Sequence, residues 1–332
     1  MAVADSTPST DSSIVDLEGY TRPSRSLLGD ALYRLKRNKA SMLGALIILF
    51  FAMAALFAPL ISPHNPLQIN SGKGFLPPAW VEKSSSGATG EAQFPLGTDT
   101  LGRDLLSRVI YGARVSMMVG FVPAIIILVV GTTIGLLAGF GGGRADNLLM
   151  RITDVAYAFP DLLFFIIVMV ALRDSAVGNL MNGLFLLFIA LALVSWVGIA
   201  RITRGQTLSL KEKEFVEAAR SIGAGDTRIM TRHILPNALG PLIVAAAFLI
   251  PNMIITEAIL GYLGLGLRPA TDPSSFFITS WGSLLLEGQS AINAQPWMLL
   301  APAICVALVV LAFTFLGDGL RDALDPRMRG TQ

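Results

Sequence analysis

Residues 214–237 read "EFVEAARSIGAGDTRIMTRHILPN". The stretch is charged and helix-prone, yet it follows an apolar run at 175–200 and leads into another at 233–256, neither containing Asp, Glu, Lys or Arg. Equally uncharged runs occupy residues 40–62, 116–142 and 288–317, and a sixth apolar stretch, 148–172, carries Arg151, Asp154 and Asp161. A membrane span needs about 20 mostly apolar residues. Backbone in lipid must satisfy its own hydrogen bonds, so each run reads as a helix. Composition agrees, with 53% hydrophobic and 14% charged residues among 332, where soluble domains carry about 25% charged. The expected fold class is an all-α integral membrane protein, with six transmembrane helices forming one domain over residues 40–317.

Lys and Arg orient such a chain, because they accumulate on cytoplasmic segments. "RPSRSLLGDALYRLKRNK" (22–39) precedes the first run. With the N-terminus inside, most of the 25 basic residues fall on cytoplasmic segments 1–39, about 140–151, about 201–235 and 318–332. The outer segments hold fewer, among them Arg103, Arg108 and Arg114. Both termini are therefore expected in the cytoplasm. The length of chain ahead of the first run argues against a cleavable signal peptide. "STPSTDSS" (6–13) reads as a disordered tail. Leu27, Leu28, Ala31, Leu32 and Leu35 then recur at helical spacing beside Arg34, Lys36 and Arg37, the pattern of an interfacial amphipathic helix or of a solvated linker. A net charge of +2 does not point to nucleic acid. The single Cys305 permits no intrachain disulfide and reads as a packing residue.

The first outer loop, 63–113, has a Gly, Ser and Pro-punctuated centre, "INSGKGFLPPAWVEKSSSGATGEAQ" (69–93). Its end, "GTDTLGRDLLSRVIYGAR" (97–114), regains helical order, with Thr98 or Asp99 as the expected cap and Leu101, Leu105 and Val109 on one face. It reads either as a stalk or as a surface for an extracytoplasmic partner.

Within 214–237, Phe215, Ala219 and Ile222 fall at i, i+4 and i+7, one face of a short helix. Gly223 follows, where a positive φ ends a helix at low cost. Gly225 allows a second bend, and Asp226 is the expected cap of a new helix leading to Pro236. Ala218 and Ala219 leave a shallow surface. By pattern alone this is either a docking element or a connector on the membrane surface.

The stretch resembles the cytoplasmic loop of ATP-binding cassette importer permeases, carried here by Glu217, Ala218, Ala219, Gly223, Leu235 and Pro236. "RHILPN" (232–237) resembles the form usual in the peptide-importer branch. Four more segments resemble that branch: "YRLKRNKASMLGALIILFFAMAALFAPLISPHNP" (33–66), "FPLGTDTLGRDLLSRVIYGARVS" (94–116), "LGYLGLGLRP" (260–269) and "PWMLLAPAICVALVVLAFTFLGDGLRDALDPRMR" (296–329). Their order is similar to that of the C-type permease of dipeptide, oligopeptide and nickel importers. "ATDPSSFFITSWG" (270–282) departs from the branch by its length. The resemblance implies that residues 215–222 form a coupling helix seated on an ATPase subunit. It also implies a B-type permease partner, two cytoplasmic ATPases that bind ATP and Mg, an extracytoplasmic solute-binding protein and a place in the bacterial inner membrane. Peptides are the expected solute, with nickel chelates and glutathione as other candidates.

The chain carries no Gly-x-x-x-x-Gly-Lys-Ser/Thr, so a phosphate cradle belongs to another chain. Its two histidines, His64 and His233, form no His-Glu-x-x-His motif. No catalytic residue, resident cofactor or metal is expected. The rival reading is an ion- or proton-coupled secondary transporter, since intramembrane carboxylates mark such pathways. Asp161, after Pro160, either lines a translocation path or satisfies backbone amides freed near that proline. Asp154 is expected to pair with Arg151, three residues away, and Glu257 to reach water at the outer end of the fifth span.

Overall fold

The computed structural model describes residues 27–83, 87–270, 272 and 275–324. The expected tail at 6–13, the terminal residues 325–332 and part of 270–282 lie outside them. In chain order the helices are α1 (Leu27–Arg37), α2 (Lys39–Leu56), α3 (Ala58–Ile61), α4 (Leu105–Gly141), α5 (Gly143–Tyr157), α6 (Asp161–Ala171) and α7 (Ala176–Asn179). A 3-10 turn (Leu180–Gly183) leads to α8 (Leu184–Leu210), then α9 (Glu214–Ser221), α10 (Asp226–Ile229), a π turn (Met230–Ile234), α11 (Leu235–Tyr262), α12 (Trp281–Ser290) and α13 (Trp297–Leu324).

Among the described residues, five helical segments are each long and apolar enough to cross a bilayer: Lys39–Leu56, Leu105–Gly141, Ala176–Leu210, Asp226–Tyr262 and Trp297–Leu324. The sixth expected span is broken. α5 and α6 meet at 77°, because Pro160 lacks an N–H and pushes Phe159 out of helical conformation. At 1.5 Å per residue, α6 alone is about 16 Å long. With α5 as its other half the bent pair makes one crossing, and six spans result.

α8 is the central helix. Of its apolar window 67% is buried inside the chain, against 22% for α2 and for α13, whose outer faces this chain leaves uncovered. The closest pairing is α4 against α8. Gly131, Gly135 and Gly139 recur every fourth residue, and a Cβ at Gly135 would lie 2.5 Å from the carbonyl oxygen of Ala200. Small residues at this spacing let two helix backbones approach. Ile127, Phe165, Met169, Leu187 and Leu191 continue the core between α4, α6 and α8.

The long loop before α4 is tied down by charge. Asp99 is fully buried; its Oδ2 accepts from Arg103 Nε and Arg108 Nη1, each at 2.6 Å. Arg108 also grips Glu287 on α12, with Nη2 to Oε1 at 2.9 Å. Asp99 is thus occupied as an anchor and does not cap α4. The cap is Asp104, whose carboxylate accepts from Ser107 N at 2.9 Å. The helix starts at Leu105, so Leu101 lies before it rather than on its face. Outside the membrane segments, the Lys73 ammonium hydrogen-bonded to Glu91 holds that carboxyl below its usual range.

Candidate functional site

The link between α8 and α11 holds the candidate site. α8 runs on to Leu210, and a short turn at residues 211–213 opens α9. Glu214 and Glu217 sit in its first turn and Arg220 in its last, each sign complementing the helix dipole. The end of α9 is closed by two bonds: Gly223 N to Arg220 O at 2.9 Å, and Ala224 N to Ala219 O at 3.0 Å. This is a Schellman closure, which requires a left-handed residue after the cap. Gly223 supplies it, at φ +81. No atom lies within 4 Å of a Cβ built there, so the glycine serves backbone conformation rather than space. Gly225 has φ −70 and occupies the N-cap position of α10, which places Asp226 inside the first turn instead of at the cap.

α9 is split into two faces. Val216 (0% exposed) and Ala219 (4%) pack inward with Leu136 of α4, Ile229 and Ile234. Phe140, Leu210 and Leu235 complete this seat, and the Arg220 guanidinium lies 5.6 Å from the Phe140 ring. Phe215 (38%) and Ile222 (86%) are exposed, as are Glu217 and Ala218. The expected stripe of Phe215, Ala219 and Ile222 is therefore divided. Only Ala219 of the three faces the bundle, and Val216, outside that stripe, is the second inward residue. Its pairing with Ala219 at i, i+3 was the available signal.

Ion pairs brace the same end of α8. Arg204 Nε and Nη2 grip both oxygens of Asp146 at 2.6 Å, and Lys211 Nζ donates to Gly139 O at 3.2 Å. Asp154 pairs with Arg201 at 2.8 Å and not with Arg151, because α8 brings a cation across to α5.

Asp161 is exposed at the first turn of α6, directly after the Pro160 break. Glu257 does not reach water. It is fully buried, and its Oε2 accepts from Ser116 Oγ of α4 at 3.0 Å. Ser116 Oγ in turn accepts from Trp281 N at 3.2 Å, so α12 folds over the carboxylate and closes it off.

The profile of the binding-protein-dependent transport system inner membrane component family matches residues 131–330. The chain belongs to that family. Residues 26–78 match the N-terminal TM domain of oligopeptide transport permease C, which marks this permease as C-type. It is similar to the oligopeptide transport system permease protein OppC of Bacillus subtilis, at 38% identity over 95% of this chain and 94% of the relative. It is 40% identical to the OppC protein of Haemophilus influenzae over 92% and 90%. The dipeptide transport system permease protein DppC of B. subtilis is 38% identical over 95% and 90%. In fold the permease resembles the MetNI methionine ABC transporter in inward-facing conformations, with TM-score 0.52 and 19% identity over 67% of this chain and 96% of the other. The permease is thus a multi-pass inner-membrane component of a binding-protein-dependent transport system. That membership displaces the ion-coupled reading built on Asp161.

Proposed function

We propose that this permease pairs with a B-type permease, and that the two enclose a path for di- and oligopeptides delivered by an extracytoplasmic solute-binding protein. The names of the relatives support the peptide class. Two cytoplasmic ATPases bind ATP and Mg. Both termini of the chain face the cytoplasm, consistent with the distribution of Lys and Arg. Asp161, exposed behind the break between α5 and α6, is the polar group we assign to the path. Contact with the solute is weak, because conduction requires release as well as entry.

One observation carries the coupling role. The outward edge of α9 (Phe215, Glu217, Ala218, Ile222) is free within this chain, while its inward edge (Val216, Ala219) is seated on α4 and the start of α11. An ATPase gripping the outward edge and closing on ATP therefore pushes two spans at once. Their displacement switches the path from inward-facing to outward-facing.

Thiol accessibility tests the assignment on a Cys305→Ser background. Ala218→Cys reacts readily in the permease pair and becomes protected when the ATPases bind. Ala219→Cys stays unreactive in both states. Equal reactivity of Ala218→Cys with and without ATPase overturns the docking role.

A further inference from the structure

We propose that the corner between α1 and α2 is a binding site for anionic phospholipid headgroups. Asn38 makes the corner: it leaves helical conformation at φ −80, ψ 106, and its side chain accepts from Ser41 N at 3.2 Å, capping α2. Ser41 Oγ donates to Phe315 O at 3.0 Å, and Leu35 packs against α13 beside Gly319. α1 is therefore held on the end of α13 and is not a free arm.

The level of this corner in the bilayer follows from length. α2 has 18 residues, about 27 Å of helix, close to the thickness of the hydrocarbon layer. Lys39, its first residue, then sits at the edge of that layer, and Arg34, Lys36 and Arg37 lie in the headgroup zone beside it. Lys36, Arg37 and Lys39 are exposed and Arg34 is half-buried. Among the described residues none of these cations forms an ion pair with a carboxylate. Arg37 instead lies 5.8 Å from the ring of Tyr33. Leu32 (53% exposed) and Tyr33 (46%) stand on the same short helix, giving apolar and aromatic surface where acyl chains meet headgroups. A cluster of Lys and Arg flanking a span, with no carboxylate paired to it among the described residues, fits phosphatidylglycerol or cardiolipin. Each such charge is worth roughly a fivefold preference for an anionic surface.

The test uses the full chain, with its partner permease, extracted from liposomes of mixed phosphatidylcholine and phosphatidylglycerol. Native mass spectrometry counts the lipid retained. The wild type keeps phosphatidylglycerol over phosphatidylcholine, and the variant R34Q/K36Q/R37Q/K39Q loses at least roughly tenfold of that preference. K36R/K39R keeps it, which separates charge from side-chain identity. Gln sustains a helix nearly as well as Lys or Arg, and retained pairing with the partner permease shows that the variant is folded. Unchanged phosphatidylglycerol retention in the Gln variant overturns the proposal. So does a nitroxide at Leu32→Cys that is shielded from both lipid-dissolved oxygen and aqueous quenchers, because protein then covers the site.

Discussion

Gly223 and Gly225 look alike in sequence and differ in what their backbones ask for. At φ +81 Gly223 holds the left-handed position of the Schellman closure. A side chain there costs about 1–2 kcal/mol, and β-branched valine sits at the upper end. Gly225, at φ −70, is in a region open to every residue, at a cap position that favours serine. Gly223→Val should therefore re-aim α9 while leaving the spans inserted. In the purified importer it should retain less ATPase and lose the stimulation of hydrolysis by loaded binding protein. Glu217→Ala should give a milder loss, since it removes one exposed contact and leaves the turn intact. Gly225→Ser should behave as wild type. Equal behaviour of Gly223→Val and Gly225→Ser in the hydrolysis assay would show that the left-handed turn has no bearing on coupling. The need for Gly223 was legible from the sequence because it depends on local backbone chemistry. The fates of Glu257 and Asp99 were not. A carboxylate near a helix end looks solvated until α12 is seen folded over it, and Asp99 looks like a cap until Arg108 is seen beside it.

At the scale of elements, apolar run length was enough to place the spans, but it did not show the bend inside one of them. The segment 148–172 scores as one run by composition, but the chain turns 77° between α5 and α6. The Phe159–Pro160 step carried that warning. The α4–α8 seam was equally present as Gly131, Gly135 and Gly139, yet the partner helix of such a row is a tertiary fact. Two alanine substitutions separate the seam from general helix propensity. Gly135→Ala forces a Cβ to 2.5 Å from the Ala200 carbonyl oxygen and should destabilise by about 1–3 kcal/mol through overpacking. Gly205→Ala, on α8 with nothing within 4 Å, should be neutral or stabilising by up to about 1 kcal/mol. Thermal unfolding of the isolated chain in detergent measures both. If the order is reversed, the α4–α8 approach is wrong.

For the whole molecule, the proposed coupling runs from the exposed edge of α9, through Val216 and Ala219, into α4 and α11. α4 extends from there to the opposite end, where Arg108 ties the long loop and α12 together. This route requires α9 to face the cytoplasm. On a Cys305→Ser background, Lys83→Cys should be labelled in intact cells by a membrane-impermeant thiol reagent. Ser209→Cys should be labelled only after permeabilisation, and the opposite pattern reverses the orientation. The central claim is that ATP hydrolysis, conveyed by α9, drives uptake through this permease. Peptide uptake into proteoliposomes containing the permease pair, the ATPases and the binding protein measures it most directly. The account predicts uptake that needs hydrolysable ATP on the α9 side, persists when the proton gradient is collapsed, and falls to background in Gly223→Val. Uptake by this chain alone, driven by a pH gradient and abolished by Asp161→Asn, would contradict it.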